Sequence, residues 1–372
     1  MDAVDAVDAA DAADAAHGGR TMSGPHLRVV QWATGNIGNR ALREVIRHPG
    51  LELVGVLTYD PAKAGVDAGT LCGEDPTGVL ATDDRAAIHA LGADCVLYMP
   101  RLFDLDDVVA LLAAGTNVVT TRGELFADAQ RLGDADRNRI LDACHAGGAS
   151  IYATGSSPGF ITDALPFALL SLQRRVDLVE IFEFANMSRR DSPHMLFEQI
   201  GFAKPLESYS PRRATYLLGE FGPPLGVLAE AAGRPVDEWG ASGEVAAARE
   251  TTAVLAGEIP AGTVGAQRTT IVGRREGTDV VRFTACWYVT PDLDPAWEVG
   301  ATGWRVRVHG DAPLVVELPF PVALDDLAAT TPAYTANRPV NAVPYVCAAP
   351  PGILSTADLP PITPAGPVAS KA

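Results

Sequence analysis

The sequence predicts an α/β protein in which a doubly wound parallel sheet is joined to a second α+β domain built on a largely antiparallel sheet. Three observations predict it. Apolar runs of strand length alternate with amphipathic segments from Leu27 to Gly155, the order that lays strands side by side in a parallel sheet. The first of these units carries Gly35 and Gly38 at its strand-to-helix turn. From Val176 onward alternating and aromatic segments spaced by turns take over, a pattern of antiparallel pairing.

The elements follow in order. Leu27, Val29, Val30 and Trp32 form a buried strand that ends in T-G-N-I-G. Residues 39–50 read as an amphipathic helix closed by Pro49-Gly50, and Leu51 to Asp60 as a second strand with an acidic end. Strand, glycine turn, helix and acidic strand end together make a Rossmann-like dinucleotide-binding unit. Glycine lets the backbone approach a pyrophosphate, and a helix N-terminus offers free N–H groups and the positive end of its dipole. The fingerprint G-x-G-x-x-G is incomplete, because Ala33 stands at its first glycine.

Residues 61–73 read as a glycine-rich loop or short helix, 82–91 as a helix, 94–100 as a short buried strand, and 104–115 as a helix stopped by Gly115. A strand over 117–124, a helix over 134–148 and a strand over 150–155 complete the first half. In the second half, 176–186, 268–275, 279–289, 303–310 and 314–320 read as strands, 192–202 as a helix, and 190–260 otherwise as mixed helix and loop. The expected organisation is a disordered acidic tail over 1–24, a dinucleotide-binding domain over 25–155, and a substrate and oligomerisation domain over 156–336. A helix over 337–352 returns to the first domain, and 353–372 is a loose tail.

A chain of 372 residues that is 47% hydrophobic can bury two cores. Its net charge of −17 argues against nucleic acid as a partner, which needs a basic footprint. The five scattered cysteines indicate neither a disulfide framework nor a zinc site and fit a reducing cytoplasm. No apolar run is long enough to span a membrane. Residues 2–16 repeat Asp-Ala-Val or Asp-Ala-Ala without a large side chain to bury, which predicts disorder, and Met22 is an alternative start.

Open α/β sheets bind ligands beyond the carboxyl ends of their strands, and three segments point there. Thr34, Gly35, Asn36, Ile37 and Gly38 are expected to cradle a pyrophosphate. Asp60 suits the ribose hydroxyls of NAD and Lys63 the 2′-phosphate of NADP; a solvated surface lysine is an equal reading of Lys63. Pro100 and Thr121, at two further strand ends, join the expected cofactor contacts. Glu124 follows a strand and is a candidate general acid or base, with a surface glutamate as its equal alternative. The turn Thr154 to Gly159, with Ser157, presents hydroxyls and N–H groups to a carboxamide or anion, and helix capping explains part of it. Phe160, Phe184, Met187 and Phe197 are candidates for an apolar substrate wall, each also readable as core. His145 and His194 lack metal-ligand spacing, so no metal is expected.

The motifs V-Q-W-A-T-G-N-I-G, G-T-N-V-V-T-T-R-G-E and A-T-G-S-S-P-G-F-I-T-D together resemble the family of 2,4-diaminopentanoate dehydrogenases and native amine dehydrogenases, over roughly residues 27–350. The first domain, with V-D-A-G at Val66 to Gly69, is similar to that of dihydrodipicolinate reductase. The resemblance implies an NAD(P)H-dependent oxidoreductase acting on the C–N bond of amines, with NADP slightly ahead of NAD. Its expected partners are an amine or carbonyl substrate and ammonia, and its expected assembly a homodimer. The family's catalytic carboxylate carries over to Glu124. Gly123 stands where the family often has a second acid, and Ser157 replaces the asparagine of its Asn-Pro-Gly. The reductase motif E-x-H-H-x-x-K-x-D-A-P-S-G-T is absent; residues 180–202 offer only Arg189, Arg190 and His194 as basic groups. A reductase of a carboxylated C=N or C=C bond, anchored by Arg189 and Arg190, and a non-catalytic nucleotide sensor are the alternatives.

Overall fold

The computed structural model describes residues 26–210 and 212–364, and the expected acidic tail over 1–24 lies outside the described residues. Strand β1 (Leu27–Trp32) turns into helix α1 (Asn36–Arg47) and returns as β2 (Leu51–Leu57). Helix α2 (Ala68–Cys72), β3 (Ala81–Thr82), α3 (Arg85–His89), β4 (Cys95–Tyr98) and α4 (Leu105–Ala113) follow. Next come β5 (Asn117–Thr120), the short α5 (Phe126–Ala129), α6 (Asp134–Gly147) and β6 (Ser150–Ala153). The expected helix over 82–91 is therefore a strand end and one short helix. Asp84 caps α3 by accepting from the N–H groups of Ala86 and Ala87, which starts it later than its acidic run suggests.

After α7 (Leu165–Leu170), β7 (Val176–Asn186) opens the second sheet. The chain continues through α8 (Arg212–Ala231), β8 (Glu238–Ala248), and β9 (Thr252–Val254) and β10 (Gly257–Ile259), which pair with each other apart from that sheet. The strands β11 (Val264–Arg275), β12 (Thr278–Tyr288), β13 (Leu293–Asp294), β14 (Gly303–Gly310) and β15 (Leu314–Pro319) complete it. Helix α9 (Leu327–Ala348) and β16 (Gly352–Leu354) return to the first sheet.

The first sheet runs β16-β6-β5-β4-β1-β2-β3, all parallel. The chain reverses direction across the sheet between β1 and β4, the switch point where such sheets open a crevice. The second sheet runs β13-β8-β11-β12-β7-β14-β15. Only its β12–β7 pair is parallel; the rest are antiparallel. Helix α8 covers one face, where Leu217, Phe221, Leu225 and Leu228 pack on Val179, Ile181, Ile271 and Phe283.

Three expectations change. The segment 192–202 is one irregular turn, His194–Ile200. The last helix begins ten residues before the expected 337 and holds Pro332, Pro339 and Pro344 inside it. Proline breaks helices by removing an N–H and crowding the preceding turn; here all three are buried. Burial of Ala336, Val340, Val343 and Val346 against the parallel sheet overrides propensity. The stretch from 353, expected as a loose tail, instead begins within strand β16, which pairs with β6.

At the glycine turn, α1 lies so close to β1 that a Cβ on Gly38 would sit 2.2 Å from the Ala33 carbonyl oxygen. That carbonyl accepts from Nε2 of the fully buried Gln31 at 2.9 Å. Ala33 itself has φ +77°. The backbone keeps the left-handed conformation that a glycine at this position allows, and alanine holds it at a cost of about 1–2 kcal/mol. Ala33→Gly should therefore stabilise the protein by ~0.5–1 kcal/mol in urea unfolding, since relief of strain exceeds the added chain entropy. Gly38→Ala should destabilise it by ~1–3 kcal/mol through overpacking. A loss of stability in the first variant, or none in the second, contradicts this account of the turn.

Candidate active site

Helix α1 begins at Asn36 with Gly35 as its N-cap. A Cβ on Gly35 would meet nothing within 4 Å, so the helix end opens onto free space. Its first-turn N–H groups have no intrahelical acceptors. Thr34, Gly35, Asn36, Asn39, Arg40 and Lys63 line a cavity of about 610 Å³ there, with Arg43 at its side. Lys63 Nζ donates to the Thr34 carbonyl at 2.9 Å, which fixes the ammonium at the turn. Asn39 Oδ1 is buried without a hydrogen-bond partner among the described residues. Open glycine and unmet N–H groups fit the diphosphate of a dinucleotide, and the cations of Lys63 and Arg40 stand beside them. Asp60 is spent otherwise: its Oδ1 accepts from the Ala62 N–H at 3.0 Å and caps the turn that carries Lys63.

A second cavity, of about 230 Å³, lies between the two sheets. Ile37 of the glycine turn, Ser156 and Ser157 line one side, and Phe184 and Trp304 of the second sheet the other. Ser156 Oγ lies 2.6 Å from Thr335 Oγ1 of α9, which ties the loop to the returning helix. Ser157 Oγ is buried and has no hydrogen-bond partner among the described residues. An unmet hydroxyl facing the glycine turn fits a ligand that reaches from one cavity into the other. Next to it Phe160 lines a third cavity with Trp304, Phe320, Tyr334 and Arg338.

Glu124 stands on the turn after β5. Its carboxylate accepts from Arg122 Nε at 3.1 Å and Nη2 at 2.5 Å, a bidentate pair. The same guanidinium donates through Nη1 to the carbonyls of Pro100 at 3.4 Å and Arg101 at 2.8 Å. The strand ends carrying Pro100 and Glu124 are thus locked together. Burial raises the Glu124 pKa, but the Arg122 hydrogen bonds and charge outweigh it and hold the carboxyl below its usual range, so it is ionised at neutral pH. The side chain of Glu124 is 26% exposed. A Cβ on Gly123 would fall 2.2 Å from Glu220 Oε2; a carboxylate from α8, paired with Arg131 at 2.6 Å, occupies the space beside Gly123.

The structure thus gathers Thr34, Gly35, Asn36 and Lys63 around one cavity, and Ile37, Ser157 and Phe184 around the next. Gly38 lies beneath the turn as a packing residue. Pro100 and Glu124 meet through Arg122, with Thr121 beside it in sequence. Met187 and Phe197 depart from expectation: they pack with Leu196, Phe202 and Ile259, because β9 and β10 fold over them and make a separate apolar core. Of the two arginines weighed as anchors, Arg189 pairs with Asp325 at 2.8 Å and Arg190 lines the crevice.

Sequence reading missed Glu183, Trp304 and Arg338. Arg338 Nε donates to Thr154 Oγ1 at 2.8 Å, and its guanidinium lies 5.9 Å from the Phe160 ring. Beside it burial pushes the Asp163 carboxyl up to about 6, against the pull of Arg338 and a Thr356 hydrogen bond. No local motif marks these residues; Glu183 and Trp304 meet through the pairing of β7 with β14, and Arg338 reaches Thr154 through the return of α9. Among the described residues no cluster of His, Cys, Asp or Glu is arranged to hold a metal, and no helix is long and apolar enough to cross a membrane.

Strand order, glycine turn and interdomain crevice define an NAD(P)-dependent oxidoreductase. No protein-family model matches the chain. It is 30% identical over 347 residues to an amine dehydrogenase of Streptomyces virginiae, across 90% of this chain and 96% of that protein. The chain belongs to the amine dehydrogenase family. A solved amine dehydrogenase from Mycobacterium smegmatis shares the fold with a TM-score of 0.70, covering 91% of this chain and 97% of its own at 19% identity. A 69-residue stretch is 44% identical to a 4-hydroxy-tetrahydrodipicolinate reductase of Anaeromyxobacter sp. (strain Fw109-5), but that spans 18% of this chain and 25% of the reductase.

Proposed function

We propose that the protein reversibly converts a ketone or aldehyde, ammonium and NAD(P)H into an amine, NAD(P)⁺ and water. The observation that carries this reading is the near full-length relation to an amine dehydrogenase. The nicotinamide, when bound, supplies and accepts the hydride. The chain's own residues do the rest. The N–H groups of Asn36, Ile37 and Gly38 take the diphosphate, and Ser157 Oγ meets the cofactor across the crevice. Phe160 borders the organic part of the substrate, whereas the Phe184 ring stacks with Phe182 on the other face of its strand. Glu124, ionised beside Arg122, serves as the carboxylate that relays protons as the carbinolamine loses water. Glu124→Gln keeps the size and one acceptor for Arg122. It should lower kcat for reductive amination by ~10²-fold or more while the Kd for NADPH stays unchanged; unaltered turnover removes the role, and lost cofactor binding makes Glu124 structural.

The cofactor is NADP. Lys63 and Arg40 line the cavity at the turn, and cations there favour a 2′-phosphate; Asp60 caps the turn that carries Lys63 through Oδ1. Lys63→Ala should weaken NADPH binding ~10-fold or more, the loss of one charge-assisted hydrogen bond, and leave NADH binding unchanged. Equal losses for both cofactors would overturn the assignment.

The assembly is a homodimer through the outer face of the second sheet. There Phe182 and Phe184 stack at 6.3 Å, under the guanidinium groups of Arg307 and Arg305 at 5.1 and 5.6 Å, opposite the face that α8 covers. The five unpaired cysteines fit a cytoplasmic setting. Sedimentation at micromolar concentration should give twice the chain mass, and a single-chain mass contradicts the dimer.

A further inference from the structure

The crevice contains a second carboxylate, and neither the sequence motifs nor the family relation assigns it a task. Glu183 lies on β7, the central strand between β12 and β14, opposite Ala285 on one side and Trp304 on the other. It lines the same cavity as Ile37 and Ser157. Its Oε1 accepts from Trp287 Nε1 at 3.1 Å and its Oε2 from Trp304 Nε1 at 3.2 Å. Both donors are neutral, and no cation pairs with Glu183 among the described residues. Arg190, in the same cavity, donates instead to Thr331 Oγ1 at 3.4 Å.

Two neighbours show what is unusual. Glu180, three residues earlier on β7, is held by Arg282 at 2.6 Å and His309 at 2.7 Å. Glu124 is held by Arg122. Each of those charges is matched. Glu183 is half-buried on a central strand and its charge is not. A half-buried carboxylate without a counter-charge, lining a cavity, attracts a cation more strongly than one already paired. The indoles direct the two oxygens and use two of about four acceptor positions; the others remain for a ligand.

We propose that Glu183 is the cation-binding carboxylate of the substrate cavity, receiving the positively charged nitrogen of ammonium or of an alkylammonium substrate. Trp287 and Trp304 hold its oxygens in place. The cavity of about 230 Å³ is below the usual range for drug-sized ligands and suits a small cation. The inference deepens the amine reading and rests on it.

The two indoles report the site directly. Ammonium chloride and ethylammonium chloride should change tryptophan fluorescence saturably in the holoenzyme with NADP⁺, over potassium chloride at equal ionic strength. Glu183→Gln, which keeps the size of the side chain, should abolish that response. In turnover it should raise KM for ammonium ten- to a hundredfold, the loss of one charge-assisted hydrogen bond, with the Kd for NADPH unchanged. A purely structural residue would shift thermal stability and leave the ratio of KM to kcat alone. Should the variant fail to fold, the wild-type titration decides: no saturable response to either ammonium salt overturns the proposal, as does a response retained in Glu183→Gln. Saturable, Glu183-dependent binding without amine turnover keeps the cation site and removes the amine reading instead.

Discussion

The close approach of helix α1 to the end of β1 is the constraint on which the rest of the molecule depends. There is no room for a side chain at Gly38, because the Ala33 carbonyl oxygen occupies that space. Gln31 fixes the carbonyl from within the core, and Ala33 accepts a left-handed backbone to complete the bend. The gain from this strain is direction. The first turn of α1 opens at the switch point of the parallel sheet, toward Lys63 and Arg40 on one side and the crevice on the other. Had the helix stood a few ångströms off, its N–H groups would face water and not a ligand's phosphates.

A second principle divides two acids, Glu183 in the crevice and Glu124 on the turn after β5. Glu124 and Glu183 are both carboxylates near the junction of the two sheets, yet their surroundings differ in kind. A guanidinium neutralises Glu124 and pins it to the end of the neighbouring strand. Indole N–H groups orient Glu183 and leave its charge intact. In a half-buried site the distinction matters, because a cation is attracted by net charge and not by the number of oxygens. For the proposed reaction, which forms a cationic iminium from neutral ketone and ammonium, the first acid would be held for proton transfer and the second left to attract charge.

What was legible in the sequence was what is local. Strand, glycine turn, helix and second strand fall within Leu27 to Leu57, and each part reports on the next. The S-S-P-G turn was legible for the same reason, and its Ser157 does stand across from Ile37. Helix α8 was not, although Leu217, Phe221, Leu225 and Leu228 carry helical spacing, because Pro223 and Pro224 interrupt the pattern. Glu183 was invisible for a different reason. Its partners Trp287 and Trp304 are 104 and 121 residues away, and only the register of β7 between β12 and β14 brings them together. Met187 and Phe197, readable as wall or as core, pack in a core; an aromatic or thioether near a strand end says nothing about which core will cover it.

The returning segment explains why the crevice cannot be assigned to one half of the chain. Helix α9 packs on the first sheet through Ala336, Val340 and Val343, then lends Thr335 to Ser156 and Arg338 to Thr154. It also places Tyr334 and Thr331 against the cavity that Trp304 and Glu183 close from the second sheet. Strand β16 anchors its end beside β6. The turn that presents Ser157 is thus held from behind by residues nearly two hundred positions later. Three prolines inside α9 are tolerated because that helix gains its stability from the core it covers and not from its own propensity. The crevice is a product of tertiary packing: the glycine turn opens the end of α1 at one side of it, and α9 holds the second sheet, with its unmatched carboxylate, at the other.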